Sequence, residues 1–236
     1  MWRQLPEIVA QLERDVNVIV LRGLGKHFCT GIDLGVLRTI VCLDGNKLED
    51  ALKFRELILV MQNGVSCLER CSVPVIAAVH GCCWGAGIDL ITACDLRFST
   101  ADASFCVKEV DVGLAADLGT LQRLPTIVGA GAAMDLALTA RVFDGAQAER
   151  LGLVTRTFGD HRDLTHGAVE AAQAMADKDA AAVRGTKHVL LHARDNSVES
   201  SLKYVAVWNT ALLKKEQILK QLAKAKAAKH KGRAKL

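Results

Sequence analysis

Short apolar runs that close on a glycine, each followed by helical periodicity, recur along the first two thirds of this chain. They constrain its fold more than any other feature. Asn17–Arg22 (Asn-Val-Ile-Val-Leu-Arg) is β-branched and stops at Gly23, and Pro74–Val79 is closed by His80-Gly81. Runs without polar alternation read as strands buried within a sheet. Leu5, Ile8, Val9 and Leu12 have a helical period, and Asn46–Cys71 reads as one long helix. Further on, the pattern gives a helical segment at Ile88–Cys94 and strands around Leu96–Ser99 and Ser104–Val107. A helix near Leu118–Val128, another at Ala146–Leu151 and a strand at Val154–Phe158 follow. Such alternation predicts a layered α/β domain. From about Thr165 the pattern is helical only: Ala168–Ala176, Ala180–His192, and a longer segment from Ser197 through Lys220. Ser197, Asp195 and Asn196 are its candidate caps. Leu202, Val205, Trp208 and Leu212 form one stripe that must be buried on something. The expected organisation is a core over residues 1–164 and a helical region with a basic tail over 165–236.

A length of 236 residues suits one such core with a helical appendage. Half the residues are apolar and the charge is mixed in sign, which excludes a disordered chain. The apolar runs Val73–Val79 and Ile88–Ala93 fall far short of the roughly 18 residues of a membrane span. Arg3, Glu7 and Glu13 interrupt the N-terminus, so no secretory leader is expected there. Net charge is +4, yet Lys214–Leu236 holds nine Lys or Arg against Glu216 alone, so the preceding body is mildly acidic. Eight cysteines, at 29, 42, 67, 71, 82, 83, 94 and 106, are expected to be reduced. Cys67 and Cys71 are four apart and Cys82 and Cys83 adjacent; neither is the CxxC of a zinc site, so no metal is expected.

Two strand-to-loop junctions have backbone suited to chemistry. In Cys29-Thr-Gly-Ile-Asp-Leu34 and Trp84-Gly-Ala-Gly-Ile88, small residues let a bound group approach main-chain N–H donors closely. Two such donors aimed at one carbonyl oxygen would make an oxyanion hole; each stretch alone also fits an ordinary tight turn. Neither matches a nucleotide-binding glycine loop. Three acids stand nearby among apolar neighbours: Asp89 in Gly-Ile-Asp-Leu-Ile, Glu109 in Val-Lys-Glu-Val, and Asp117 in Gly-Leu-Ala-Ala-Asp-Leu-Gly. A carboxylate is costly to bury unless paired or used, and partial desolvation lifts its pKa toward neutrality, as proton abstraction beside a carbonyl requires. Each acid singly could equally be a helix cap or a surface charge, and Asp117, just ahead of a helix, is the obvious cap candidate.

Taken together, Lys-His-Phe-Cys-Thr-Gly-Ile-Asp-Leu (26–34), Pro-Val-Ile-Ala-Ala-Val-His-Gly (74–81), Gly-Ala-Gly-Ile-Asp-Leu (85–90) and Ala-Cys-Asp-Leu-Arg (93–97) resemble the enoyl-CoA hydratase/isomerase, or crotonase, superfamily. The resemblance spans about Trp2–Phe158. It implies a spiral of ββα units with a helical C-terminal region that builds trimers, often dimers of trimers. It also implies an acyl-CoA thioester substrate, with the thioester oxygen between the backbone N–H groups of Ile32 and Ala86. Thr30, Gly31, Ile32, Asp33 and Leu34 would lie along the CoA. No separate cofactor is implied, since CoA arrives as part of the substrate.

Hydratases of the superfamily carry glutamates at the positions of Asp89 and Glu109 and a Pro-Gly-Ala-Gly-Gly-like stretch near 115–119. Here Asp117 stands where a glycine would be. The run 107–125 is similar to the dienoyl-CoA isomerase branch, in which the acids matching Asp89, Glu109 and Asp117 line the pocket. The activity so implied is the shift of 3,5-dienoyl-CoA to 2,4-dienoyl-CoA in fatty-acid β-oxidation; a 2-enoyl-CoA hydratase using Asp89 and Glu109 is the alternative, and a non-catalytic CoA- or RNA-binding module a third possibility. Members of the superfamily open with a strand pair that this sequence lacks. Basic contacts to the CoA phosphates come from that region, so a form extended upstream is expected to bind CoA esters more tightly.

The basic run Lys220–Leu236 has no aromatic interleaving and no glycine-rich RNA motif, which argues against nucleic acid as a partner. Its last residues, Ala234-Lys235-Leu236, are similar to the Ser-Lys-Leu peroxisomal signal, so a peroxisome-type location is expected, with mitochondrion or cytoplasm as alternatives. His188 and His192, four apart on one helix face, lack a third metal ligand, and His27 and His80 have no partner pattern for a nucleophilic triad.

Overall fold

The computed structural model describes residues 1–33, 35–36, 42–43, 47–216 and 218–223. By its own contacts the chain divides into two compact units, Met1–Gln173 and Ala174–Leu236. In the first, helix α1 (Gln4–Asp15) leads to strand β1 (Ile19–Arg22), and the long helix α2 (Leu48–Arg70) leads to β2 (Val75–Val79). Next come β3 (Cys82–Trp84), α3 (Ala86–Thr92), β4 (Leu96–Thr100), β5 (Ser104–Cys106) and a 3-10 turn at Glu109–Val112. Helices α4 (Thr120–Val128) and α5 (Ala130–Thr139), strand β6 (Phe143–Asp144), α6 (Gly145–Arg150) and β7 (Arg156–Phe158) complete the sheets, and α7 (His161–Ala176) follows.

The strands form two sheets. One is parallel throughout, in the order β1-β2-β4-β7, with Ile19 opposite Val75, Ile76 opposite Leu96 and Phe98 opposite Arg156. The other has the order β3-β5-β6, with Cys83 opposite Phe105 and Phe105 opposite Phe143. The chain passes from β2 to β3 and from β4 to β5, crossing each time from the first sheet to the second before it enters a helix. That repeated strand–strand–helix step is the spiral of ββα units. The central strand β2 is buried at all five positions, which is why its sequence shows no alternation. Leu68, Ile88, Ile91, Phe105, Leu124 and Leu136, each at most 1% exposed, form the core with it.

Helices α8 (Ala180–Arg194) and α9 (Val198–Leu212) lie in the second unit. Ser197 caps α9 by accepting the Ser200 N–H at 3.2 Å, so of the three candidate caps it is the one used. The two helices are joined by aromatic contacts. The His192 ring stacks on Tyr204 with centroids 4.0 Å apart, and His188 stacks on Trp208 at 4.4 Å and meets the Tyr204 hydroxyl at 2.6 Å. Both histidines are therefore taken up in packing. Helix α9 ends at Leu212 because Leu213 is extended, and helical residues resume at 215–216 and 218–223, so the expected run through Lys220 is interrupted rather than continuous. Of its expected stripe, Val205 and Trp208 are half-buried, whereas Leu202 and Leu212 are exposed.

Candidate active site

Two loops meet beside β3. The chain leaving β1 returns along that strand: Cys29 N–H donates to the Cys82 carbonyl at 3.0 Å, and Trp84 N–H to the Cys29 carbonyl at 2.9 Å. This pairing carries Gly31 up to the junction between β3 and α3. There Gly85 has φ 52° and ψ −119°, a backbone shape open essentially to glycine. A Cβ placed on Gly85 would lie 3.7 Å from Gly31 Cα and 3.5 Å from Glu109 Oε1. The first loop, the second loop and one of the three acids thus converge on a single glycine. Ala86 is the first residue of α3, so its N–H has no partner inside the helix and sits at the positive end of the helix dipole. Ile32 is half-buried next to Gly31, while Thr30 and Asp33 are exposed. Asp33 Oδ1 accepts the Gly35 N–H at 2.7 Å and so shapes its own turn. Leu34 lies outside the described residues.

The acids come from three elements. Asp89, on α3, is 1% exposed and held by one residue: the backbone N–H and the hydroxyl of Thr120 both donate to Asp89 Oδ1, each at 2.7 Å. Glu109 opens the 3-10 turn, half-buried, with Oε2 buried and lacking a hydrogen-bond partner among the described residues. Asp117, also half-buried, precedes α4. It does not cap that helix, contrary to the obvious expectation; Gly119 occupies the cap position, and the carboxylate that receives the first N–H is Asp89. The turn carrying Asp117 is tied to α2 by Gln62 Nε2, which donates to the Asp117 carbonyl at 2.6 Å. Arg123, paired with Glu69 at 3.1 Å and donating to Ser66 Oγ at 3.0 Å, packs its guanidinium against Gly119, where any side chain would collide with it.

Burial lifts all three acids. Asp89 is pushed up to about 6, first by loss of solvent, with Thr120's donors pulling against that and the Asp117 charge adding to it. Glu109 is pushed up to about 7, first by burial and then by the charges of Asp89 and Asp117. Asp117 is raised by burial as well. The mutual repulsion means that three carboxyl groups share one electrostatic site. Near neutral pH such a site is poised to take up and release a proton, as a proton shuttle requires.

A stability prediction follows from the Glu109 shift. A carboxyl group that binds its proton more tightly folded than unfolded favours folding at low pH, and that contribution is lost as pH rises through about 7. Glu109→Gln is therefore expected to be more stable than the parent at pH 8 by about 1–2 kcal/mol, allowing for the group's partial exposure, and equal to it at pH 4.5. Thermal melts at the two pH values check this; a variant less stable than the parent at pH 8 would contradict it.

Other candidates play lesser parts. Trp84 Nε1 donates to Ser104 Oγ at 3.1 Å. His27 Nδ1 accepts the Cys82 N–H, and His80 is stacked on His161 with centroids 4.2 Å apart. The eight cysteines are free thiols, and among the described residues no group of three His, Cys, Asp or Glu side chains is placed to hold a metal. Sequence reasoning missed Thr120, Gln62 and Arg123. The only available signal was a threonine right after a glycine at a helix start, and nothing in it points to an acid 31 residues earlier.

The sequence pattern of the enoyl-CoA hydratase/isomerase family matches residues 1–228. The chain is 49% identical over 215 residues to the Delta(3,5)-Delta(2,4)-dienoyl-CoA isomerase, peroxisomal, of Arabidopsis thaliana, covering 89% of this chain and 77% of that protein. It is 42% identical over 228 residues to the mitochondrial enzyme of the same name from Homo sapiens, covering 94% and 69%. Among solved structures, the enoyl-CoA hydratase of Bacillus anthracis superposes with a TM-score of 0.83 at 25% identity, covering 96% of this chain and 85% of that one.

Proposed function

Because this chain belongs to the enoyl-CoA hydratase/isomerase family, we propose that it is an isomerase that converts 3,5-dienoyl-CoA to 2,4-dienoyl-CoA in β-oxidation. The observation that carries the reading is the convergence of Gly31, Gly85–Ala86 and Glu109 beside the buried Asp89 and the half-buried Asp117. The reaction removes a proton from C2 and adds one at C6. Asp117 takes the C2 proton, the electron pair spreads over a dienolate, and Glu109 delivers a proton to C6. Exchange with solvent then strips the proton from Asp117 and restores one to Glu109. C2 and C6 are four bonds apart, too far for one carboxyl group to serve comfortably, whereas two acids on different elements can serve one each.

In this reading the N–H groups of Ile32 and Ala86 hold the thioester oxygen as negative charge builds on it. Thr30–Leu34 runs along the CoA, and Asp89 sets the charge felt by the other two acids. No separate cofactor is required, because the reaction moves protons without net oxidation and CoA is part of the substrate. Hydration would ask Asp89 and Glu109 to activate water, yet Asp89 Oδ1 is already occupied by two Thr120 donors. The test offers the purified protein 3,5-dienoyl-CoA and 2-enoyl-CoA separately. Absorbance of the 2,4-diene is expected to grow with the first and no hydration to occur with the second; the opposite pattern would overturn the reading.

Assembly and location belong to the same proposal. The second unit exposes Leu190, Leu202 and Val207, each more than 60% accessible, which supports self-association, and the family resemblance makes the assembly a trimer or a dimer of trimers in this reading. No helix among the described residues is long and apolar enough to cross a membrane. The Arabidopsis relative is named peroxisomal and the human one mitochondrial. The tripeptide Ala234-Lys235-Leu236, outside the described residues, supports the peroxisome. A reporter carrying the last dozen residues is expected to enter peroxisomes, and to stay out without Leu236; indifference to Leu236 would contradict this.

A further inference from the structure

Thr120 is wholly buried at the first position of α4, and both of its donors converge on one oxygen of Asp89, 31 residues away. Helix starts are ordinarily capped by the residue that precedes them. Here that residue is Gly119, which has no side chain to offer, and the cap comes from an acid on another helix. Capping alone needs only the backbone N–H. The hydroxyl at the same 2.7 Å makes a second bond to the same atom, which fixes the carboxylate's orientation and favours its ionised form.

We propose that Thr120 is a positioning residue of the proton-transfer site: its paired donors lock Asp89 as an anion beside Glu109, so that the shared proton resides on Glu109. This rests on the reading of Glu109 as the proton donor. The groups whose charge bears on this arrangement come from every surrounding element. Glu109 lies on the 3-10 turn, Asp117 in the turn before α4, Arg123 on α4, the Cys29 thiol in the first loop and the Cys83 thiol on β3. Both thiols are held neutral by burial. Arg123 is engaged by Glu69. Among the described residues, the hydrogen bonds to the Asp89 carboxylate come from Thr120 alone. Without the hydroxyl, Asp89 competes for the proton that Glu109 must carry.

Thr120→Val keeps the side-chain shape and the backbone N–H and removes only the hydroxyl. The expected result is a kcat about 10-fold lower, with the acidic limb of the kcat–pH profile displaced upward by about one unit and KM changed less than about twofold. Thr120→Ser, which retains both donors, is expected to restore the profile. A valine variant whose profile superimposes on the parent's, or a serine variant that falls as far as valine, would overturn the proposal. Carboxyl 13C titration of the unmodified protein tests it without any variant: Asp89 is expected to ionise below Glu109, and the reverse order would overturn it. Glu109→Gln, assayed alongside, separates the two levels of failure. If Glu109→Gln is active, the donor assignment itself is wrong; if it is inactive and Thr120→Val unshifted, only the role of Thr120 falls.

Discussion

Glu109→Gln is expected to lower kcat for 3,5-dienoyl-CoA by about 10²- to 10⁴-fold, the usual contribution of a positioned general acid. Glutamine keeps the size and most of the polarity of the side chain but has no proton to give at C6. The site around it is expected to hold its shape, because among the described residues the half-buried carboxyl group makes no hydrogen bond through Oε2 and the turn is anchored by its own backbone. Burial and the charges of Asp89 and Asp117 push Glu109 up to about 7, so in the parent the group gains and loses its proton around neutral pH. Asp117→Asn is expected to lose activity to a comparable extent, by removing the C2 base. KM should change little in either variant, since neither acid is assigned a contact with the CoA. Initial rates across substrate concentration check this; kcat within threefold of the parent for either variant would contradict the assignment.

Gly85→Ala is expected to cost about 10²- to 10³-fold in kcat, the scale of losing one oxyanion donor. Space is not the difficulty, since the new Cβ would meet Gly31 and Glu109 at ordinary contact distances of 3.7 and 3.5 Å. The obstacle is the backbone: φ 52° with ψ −119° costs any other residue about 1–3 kcal/mol. The peptide leading to Ala86 relieves that strain by rotating, and its N–H is the one assigned to the thioester oxygen. Gly152→Ala supplies the control. Its φ of 78° imposes strain away from the assigned site, so stability should fall while kcat holds. If Gly85→Ala kept its rate, Ala86 would not be an oxyanion donor.

What the sequence disclosed depended on how local each signal was. Pro74–Val79 was legible because a strand buried on both faces must be apolar throughout. The acids at 89, 109 and 117 were legible because carboxylates among Leu, Ala and Val are costly to bury without a purpose. Strands β3 and β6, of three and two residues, are too short to leave a pattern. Helix α5 left none either: Ala130–Thr139 is rich in alanine and includes Gly131, so its apolar period is faint. The helical period from Ser197 to Lys220 fits the helical residues on both sides of Leu213, and nothing local announced the break there. The Thr120–Asp89 bonds join residues far apart in the chain, and only the packing of α4 against α3 creates them. For the same reason Asp117 looked like a cap that the fold assigns to Asp89.

The central claim, that two carboxyl groups divide one double proton transfer, is tested most directly by following deuterium into 3,5-dienoyl-CoA in D2O with the Glu109→Gln protein. The account predicts that C2–H continues to exchange with solvent through Asp117 while no deuterium reaches C6 and no 2,4-diene forms. Deuterium at C6 at the parent's rate, with the diene accumulating, would contradict it.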